Sequence, residues 1–112
     1  MPKLTLTPAT LTLIAERFKV LGEPARLQIL NALRGGELTV GDLVERTALS
    51  QANVSKHLQV LHARGFVARE KDGLYVRYRL ADKTVFQLCD IMCGHLETEL
   101  EARRKALGAA RR

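Results

Sequence analysis

Apolar residues recur at helical spacing in five stretches of this chain and alternate with polar ones in one more. Leu11, Ile14, Ala15, Phe18 and Leu21 mark one face of a first helix. Thr7 supplies its N-cap, Pro8 its first position and Gly22 its stop. Pro24 opens a second helix with Leu27, Ile29, Leu30 and Leu33 as apolar positions, ended by Gly35-Gly36. Thr39 caps a short third helix, Val40 to Arg46, with Asp42 placed close to a capping-box position and Val40, Leu43 and Val44 facing inward. Ser50 caps the fourth, where Val54, Leu58 and Leu61 share one face and Gly65 ends the run. Asp82 is expected to cap a long last helix reaching about Leu107, followed by a frayed basic tail from Gly108 to Arg112.

Between the fourth and last helices the period changes. Phe66 to Glu70 and Leu74 to Leu80 have strand character, with Tyr75, Arg77 and Arg79 alternating with Val76, Tyr78 and Leu80. Asp72-Gly73 is a hairpin-turn signal. The third and fourth helices flank the tight Thr47-Ala48-Leu49 turn, and the hairpin follows directly. That order predicts a mainly α fold with a β-hairpin wing: a winged helix-turn-helix. Repeats and low-complexity segments are absent.

Length and composition narrow the picture further. At 112 residues the chain suits a single domain, here taken as residues 1–112. Hydrophobic residues make up 46% but aromatics 4%, so the core must come from Leu, Val, Ile and Ala. The formal net charge of +6 favours a polyanionic partner, because each phosphate contacted releases condensed counterions. The start, MPKLTLTPATLTL, has no basic stretch ahead of a long apolar run, and no segment approaches the roughly 20 apolar residues needed to span a bilayer. No membrane association and a cytoplasmic location are therefore expected, with Cys89 and Cys93 as thiols.

The fourth helix and the hairpin hold the candidate chemistry. A helix in the DNA major groove buries one side in its own domain and offers short polar side chains on the other. Gln51, Ser55 and Lys56 are the main candidates for base contact, with Ser50, Asn53 and His57 behind them. Taken alone, the same residues also describe an ordinary solvated helix face. The wing changes the balance, since Arg69, Lys71, Arg77 and Arg79 crowd a short hairpin that suits a phosphate backbone or minor groove. Double-stranded DNA is the expected partner. RNA is disfavoured because Tyr75 and Tyr78 alone make no stacking platform.

At this point the chain resembles a family. The runs Leu21-Gly22-Glu23-Pro24-Ala25-Arg26-Leu27, ELTVGDL from Glu37, LSQANVSKHL from Leu49 and GLYVRYRL from Gly73 look like those of the ArsR/SmtB winged-helix repressors of bacteria. The resemblance covers most of the chain. It implies a homodimer built on the first and last helices, an imperfect inverted-repeat operator, and repression relieved by an inducer. An apolar stripe of Val85, Leu88, Met92, Leu96 and Leu100 fits such pairing, being too long for one small domain to cover.

The inducer is less legible. Arsenic and lead/cadmium sensors of the family carry a Cys-Val-Cys run where this chain has Thr39-Val40-Gly41, so that site is absent. Zinc sensors use four ligands on the last helix. Asp82 and His95 match two of them, but Thr84 and Thr98 occupy the others, and Thr is a poor zinc ligand. Sulfide- and oxidant-responsive relatives pair a last-helix cysteine with one on the second helix, where this chain has Asn31 within Leu27–Leu33 and no Cys. What remains is Cys89 and Cys93, whose i, i+4 spacing puts both sulfurs on one side of the helix. Two thiolates so placed suit arsenite or another soft metal ion, with reactive sulfur or oxidant as the alternative trigger. Equally, Cys89 lies on the apolar stripe, where buried cysteine often acts as a small hydrophobe. Met92 reads as core, and His57 and His62 as phosphate contacts or packing groups.

Other classes compete poorly. No Ser/His/Asp set, phosphate-binding Gly loop or paired-carboxylate cleft is present, so an enzyme is not expected. A winged helix that docks proteins instead of DNA remains open, but its surface would be more apolar and less basic.

Overall fold

The computed structural model describes residues 4–110, the last by its backbone alone. Met1 to Lys3 of the leading stretch and Arg111 and Arg112 of the expected basic tail lie outside the described residues. The chain divides into two compact units, Met1–Ala81 and Asp82–Arg112.

The first unit begins with α1 (Pro8–Leu21) and α2 (Pro24–Ala32). A 3-10 turn, Leu33–Gly35, closes α2, and Gly36 leaves it at φ 137°, a backbone region that only glycine enters without strain. Strand β1 (Leu38–Thr39) leads straight into α3 (Val40–Arg46), and α4 (Gln51–Ala63) follows. The wing is β2 (Val67–Asp72) and β3 (Tyr75–Leu80). The sheet is antiparallel in the order β1-β3-β2.

Local chemistry explains most of these limits. Thr7 and Thr10 form a complete capping box on α1, and Thr39 and Asp42 form another on α3, at 3.1 and 3.0 Å. Glu23, not singled out from sequence, caps α2 through its carboxylate. Helix α4 ends in a Schellman motif: Phe66 N–H donates to Leu61 O and Gly65 N–H to His62 O, with Gly65 at φ 79°. That motif turns the chain directly from α4 into the wing.

The core of this unit is aliphatic, as its composition demands. Ile29, Leu30 and Leu33 from the α2 region, Leu43 from α3, and Val54, Leu58 and Leu61 from α4 are its fully buried members. Leu38, Val67 and Leu80 seat the sheet. Each such side chain contributes about 1.5–3 kcal/mol by leaving water. Val40 and Val44, expected to face inward beside Leu43, are half-buried, and Leu27 is exposed.

Three boundaries differ from the sequence reading. Strand β1 was not foreseen, because two residues are too few to show alternation; they are a strand only because β3 pairs with them. The hairpin loop is Gly73-Leu74 rather than Asp72-Gly73, since Asp72 still pairs with Tyr75. Gly73 sits at φ 62° and Leu74 is not at positive φ, the sign pattern of a type II′ turn with glycine first.

The third difference lies in the second unit. Asp82 Oδ1 accepts from Thr84 N–H at 2.9 Å and caps a turn, after which α5 runs from Val85 to Ala110. The helix thus extends past Leu107, through residues expected to fray. Its 26 residues make a rod about 39 Å long. Val85 and Phe86 are buried. From Gln87 to Ala109 every residue is exposed except Cys89, which is half-buried.

Candidate nucleic-acid interface

Helix α4 is held rigidly along one side and left free on the other. Val54, Leu58 and Leu61 anchor it with no exposed surface. The turn before it is pinned by Thr47, which the sequence places in the turn without assigning it a bond. Thr47 is a buried polar residue: its hydroxyl donates to Leu43 O at 2.7 Å and accepts from Leu49 N–H at 3.4 Å. Mid-loop threonines carry no periodic signal, so nothing local marks this role.

The expected base-reading residues lie outside the buried row of the helix. Gln51, Asn53 and Lys56 are exposed and Ser55 is half-buried, all within the first turns of α4. Ser50 has a second task, accepting from Asn53 N–H at 3.2 Å as N-cap. Amide, hydroxyl and ammonium groups thus occupy the first turns of a helix backed by a packed core, as a major-groove reader requires.

His57 sits apart from this group. It is half-buried, and its Nδ1 accepts from Arg26 Nε at 3.2 Å. Arg26 in turn donates from Nη1 to Val20 O, in the last turn of α1, at 3.1 Å. Burial, and then the guanidinium charge, hold the His57 ring below the usual histidine pKa of 6.5, against a smaller opposing pull from Glu23.

The wing cations divide between two faces of the hairpin. The register pairs Arg69 with Tyr78 and Lys71 with Val76 on the face that also holds Val67 and Leu80. Arg79, opposite Ala68, and Arg77, opposite Glu70, lie on the other. Arg69, Lys71 and Arg79 are exposed. Arg77 is half-buried and lies 3.3 Å from Asp72, with Thr39 beside it across β1. Of the four wing cations, Arg77 has Glu70 opposite it and Asp72 at 3.3 Å.

The thiols of α5 are free, Cys89 half-buried and Cys93 exposed. No cluster of three or more His, Cys, Asp or Glu able to hold a metal ion exists among the described residues. Thr98, at one of the zinc-sensor positions, donates its hydroxyl to Gly94 O at 3.0 Å. No helix among the described residues is long and apolar enough to cross a membrane.

Comparison with known proteins meets this geometry directly. The sequence profile described as "Bacterial regulatory protein, arsR family" matches residues 23–69, the span from the start of α2 into the wing. The HTH-type transcriptional regulator NmtR of Mycobacterium tuberculosis is 39% identical over 84 residues, which cover 75% of this chain and 70% of that protein. The crystal structure of M. tuberculosis Rv0081 superposes with a TM-score of 0.73 at 33% identity, covering 87% of this chain and 97% of that one. The solution structure of a homodimeric winged helix-turn-helix DNA-binding domain, Mb0332 of Mycobacterium bovis, gives 0.71 at 29% identity, covering 91% and 95%. With the winged helix-turn-helix in place and relatives this similar over this much of their length, the chain belongs to the ArsR/SmtB family of bacterial transcriptional repressors, and is a regulator rather than an enzyme.

Proposed function

We propose that the protein represses transcription by binding an inverted-repeat operator as a homodimer, through α4 and the wing. One observation carries this reading: exposed Gln51 and Lys56 beside a half-buried Ser55 on a helix whose Val54, Leu58 and Leu61 are fully buried. Such a helix presents base-reading groups without having to order itself on binding. The basic wing residues Arg69, Lys71 and Arg79 supply the sequence-independent attraction to phosphate. The test is a mobility-shift titration comparing an operator selected from random duplexes with unrelated DNA. Loss of discrimination on changing Gln51 or Ser55 supports the assignment; equal loss on both duplexes rejects it.

The homodimer rests on two apolar surfaces. Helix α1 exposes Leu11 and Phe18, and α5 exposes Leu88, Met92, Leu96 and Leu100, the last three at 54–59%. Exposed apolar side chains in such a row signal a protein partner. A second copy of the same chain fits because Mb0332, similar over 91% of this chain, is described as homodimeric. Two copies also engage two half-sites at once, which multiplies affinity.

The inducer is a soft thiophile, arsenite-like ions first, bound by Cys89 and Cys93. Neither thiol is sealed in a core, so both are open to such an ion. Two sulfurs per chain leave further ligands to the second copy across the dimer axis. Release from DNA requires the ion to favour the DNA-incompetent dimer, and a coupling of about 1–3 kcal/mol loosens binding roughly 5- to 150-fold. Reactive sulfur is the alternative trigger, favoured by the same accessibility.

A further inference from the structure

Helix α4 is tethered to α1 at two places. Near its C-terminal end Arg17 donates to Arg64 O at 2.9 Å, and Arg64 lies 3.6 Å from Glu16. Nearer its reading end the tether is the Val20–Arg26–His57 chain of hydrogen bonds. The two differ in kind. The first uses two permanent cations, Arg17 on a carbonyl and Arg64 beside a carboxylate. The second exists only while Nδ1 of His57 carries a lone pair, because a guanidinium donates and never accepts.

We infer that Arg26 is a positioning residue for operator reading, fixing the pose of α4 against α1 through a neutral His57 whose proton resides on Nε2. The inference rests on α4 being the DNA-reading helix. His57 lies one turn beyond Asn53 and next to Lys56, so a change in its seating moves the residues that meet DNA. Protonation of the ring removes the acceptor and sets two cations 3.2 Å apart. The charged groups acting on His57 are Arg26 of α2, Glu23 at its cap and Lys56 on α4; none from α3 or the wing is among them. The ring therefore stays neutral at and above neutral pH, and the tether opens as pH falls below the ordinary histidine value. Since acid adds positive charge to the protein, a basic DNA-binding domain without this device holds DNA more tightly as pH falls. Here the opposite sign is expected.

The experiment has two arms. In the first, the ring nitrogens of 15N-histidine-labelled protein are observed by NMR without DNA. The unmodified protein should show His57 as the Nε2–H tautomer, and Arg26→Gln should give a mixture; a Nδ1–H ring in the unmodified protein overturns the inference. In the second, affinity for a duplex selected from a random pool is followed from about pH 7.5 to about pH 5.5, spanning the histidine range. The unmodified protein should lose affinity on acidification. Arg26→Gln should bind about three- to thirtyfold more weakly at the upper pH, the usual scale of a coupling residue. His57→Asn, which keeps an acceptor but cannot titrate, should lose the acid sensitivity. Urea unfolding of each variant separates misfolding from mispositioning. Tighter binding in acid, or an unchanged pH profile in His57→Asn, overturns the inference while leaving operator binding intact. Failure to select any duplex overturns the DNA-reading assignment itself, and the positioning role with it.

Discussion

Arg77 and Asp72 meet on one face of the wing, Nε 3.3 Å from Oδ2, with Glu70 directly opposite Arg77 in the strand register. Arg79 has Ala68 directly opposite it. The pair is too exposed to matter for stability, where such contacts add little. Its effect is on the charge offered to DNA. Arg79→Ala should flatten the salt dependence of binding by about one unit, as expected for a lost phosphate contact, and Arg77→Ala by less. Asp72→Ala should free Arg77 and tighten binding to any duplex. Binding isotherms across a salt series decide this; a larger effect for Arg77 than for Arg79 contradicts it.

The reading face of α4 makes a sharper demand. Gln51→Ala or Ser55→Ala should cost about 1–3 kcal/mol on the selected operator if either makes a good base contact, with little change on random DNA. Arg69→Ala should instead weaken both duplexes alike. Competition titrations with the two duplexes separate the classes.

Leu96 stands in the middle of the exposed apolar row of α5 and is 54% exposed. Leu96→Glu should leave the winged unit folded but yield monomers by light scattering at micromolar concentration. Tight operator binding should vanish with the dimer, because one half-site is too weak alone. A monomer that still binds tightly refutes the dimer assignment.

Cys89→Ser, Cys93→Ser tests the inducer. Arsenite should release the unmodified protein from operator and leave the double variant bound. Equal release of both, or of neither, removes the cysteines from the sensing role.

The cap of α3 gives a pH signature of its own. The Thr39 backbone N–H, and then its side chain, hold the Asp42 carboxyl below its ordinary value of 3.8. A carboxylate depressed in the folded state stabilises above its unfolded pKa, and that support is lost as pH falls through the lower folded value. Urea midpoints should therefore drop more steeply in acid for the unmodified protein than for Asp42→Asn. Thr39→Ala should cost about 1 kcal/mol at neutral pH, the usual worth of an N-cap.

The helices were legible because their causes are local. Thr7, Thr39 and Ser50 cap groups three residues away, and Val54, Leu58 and Leu61 announce a buried face by spacing alone. The polar face of α4 followed from the same periodicity, and with it the proposed DNA-reading role. Packing decided what lies between elements. Leu38 and Thr39 are a strand only through β3, and the division of wing cations between two faces depends on a register that one residue of slippage would invert. Likewise Asp82 reads as a helix cap but closes a turn, since a short acidic side chain serves either geometry. The Arg26–His57 bond joins positions 31 residues apart, and Thr47 is buried by its neighbours rather than by any pattern of its own. Caps and periods act within four or five residues along the chain; pairing register and long-range hydrogen bonds exist only once the helices have packed.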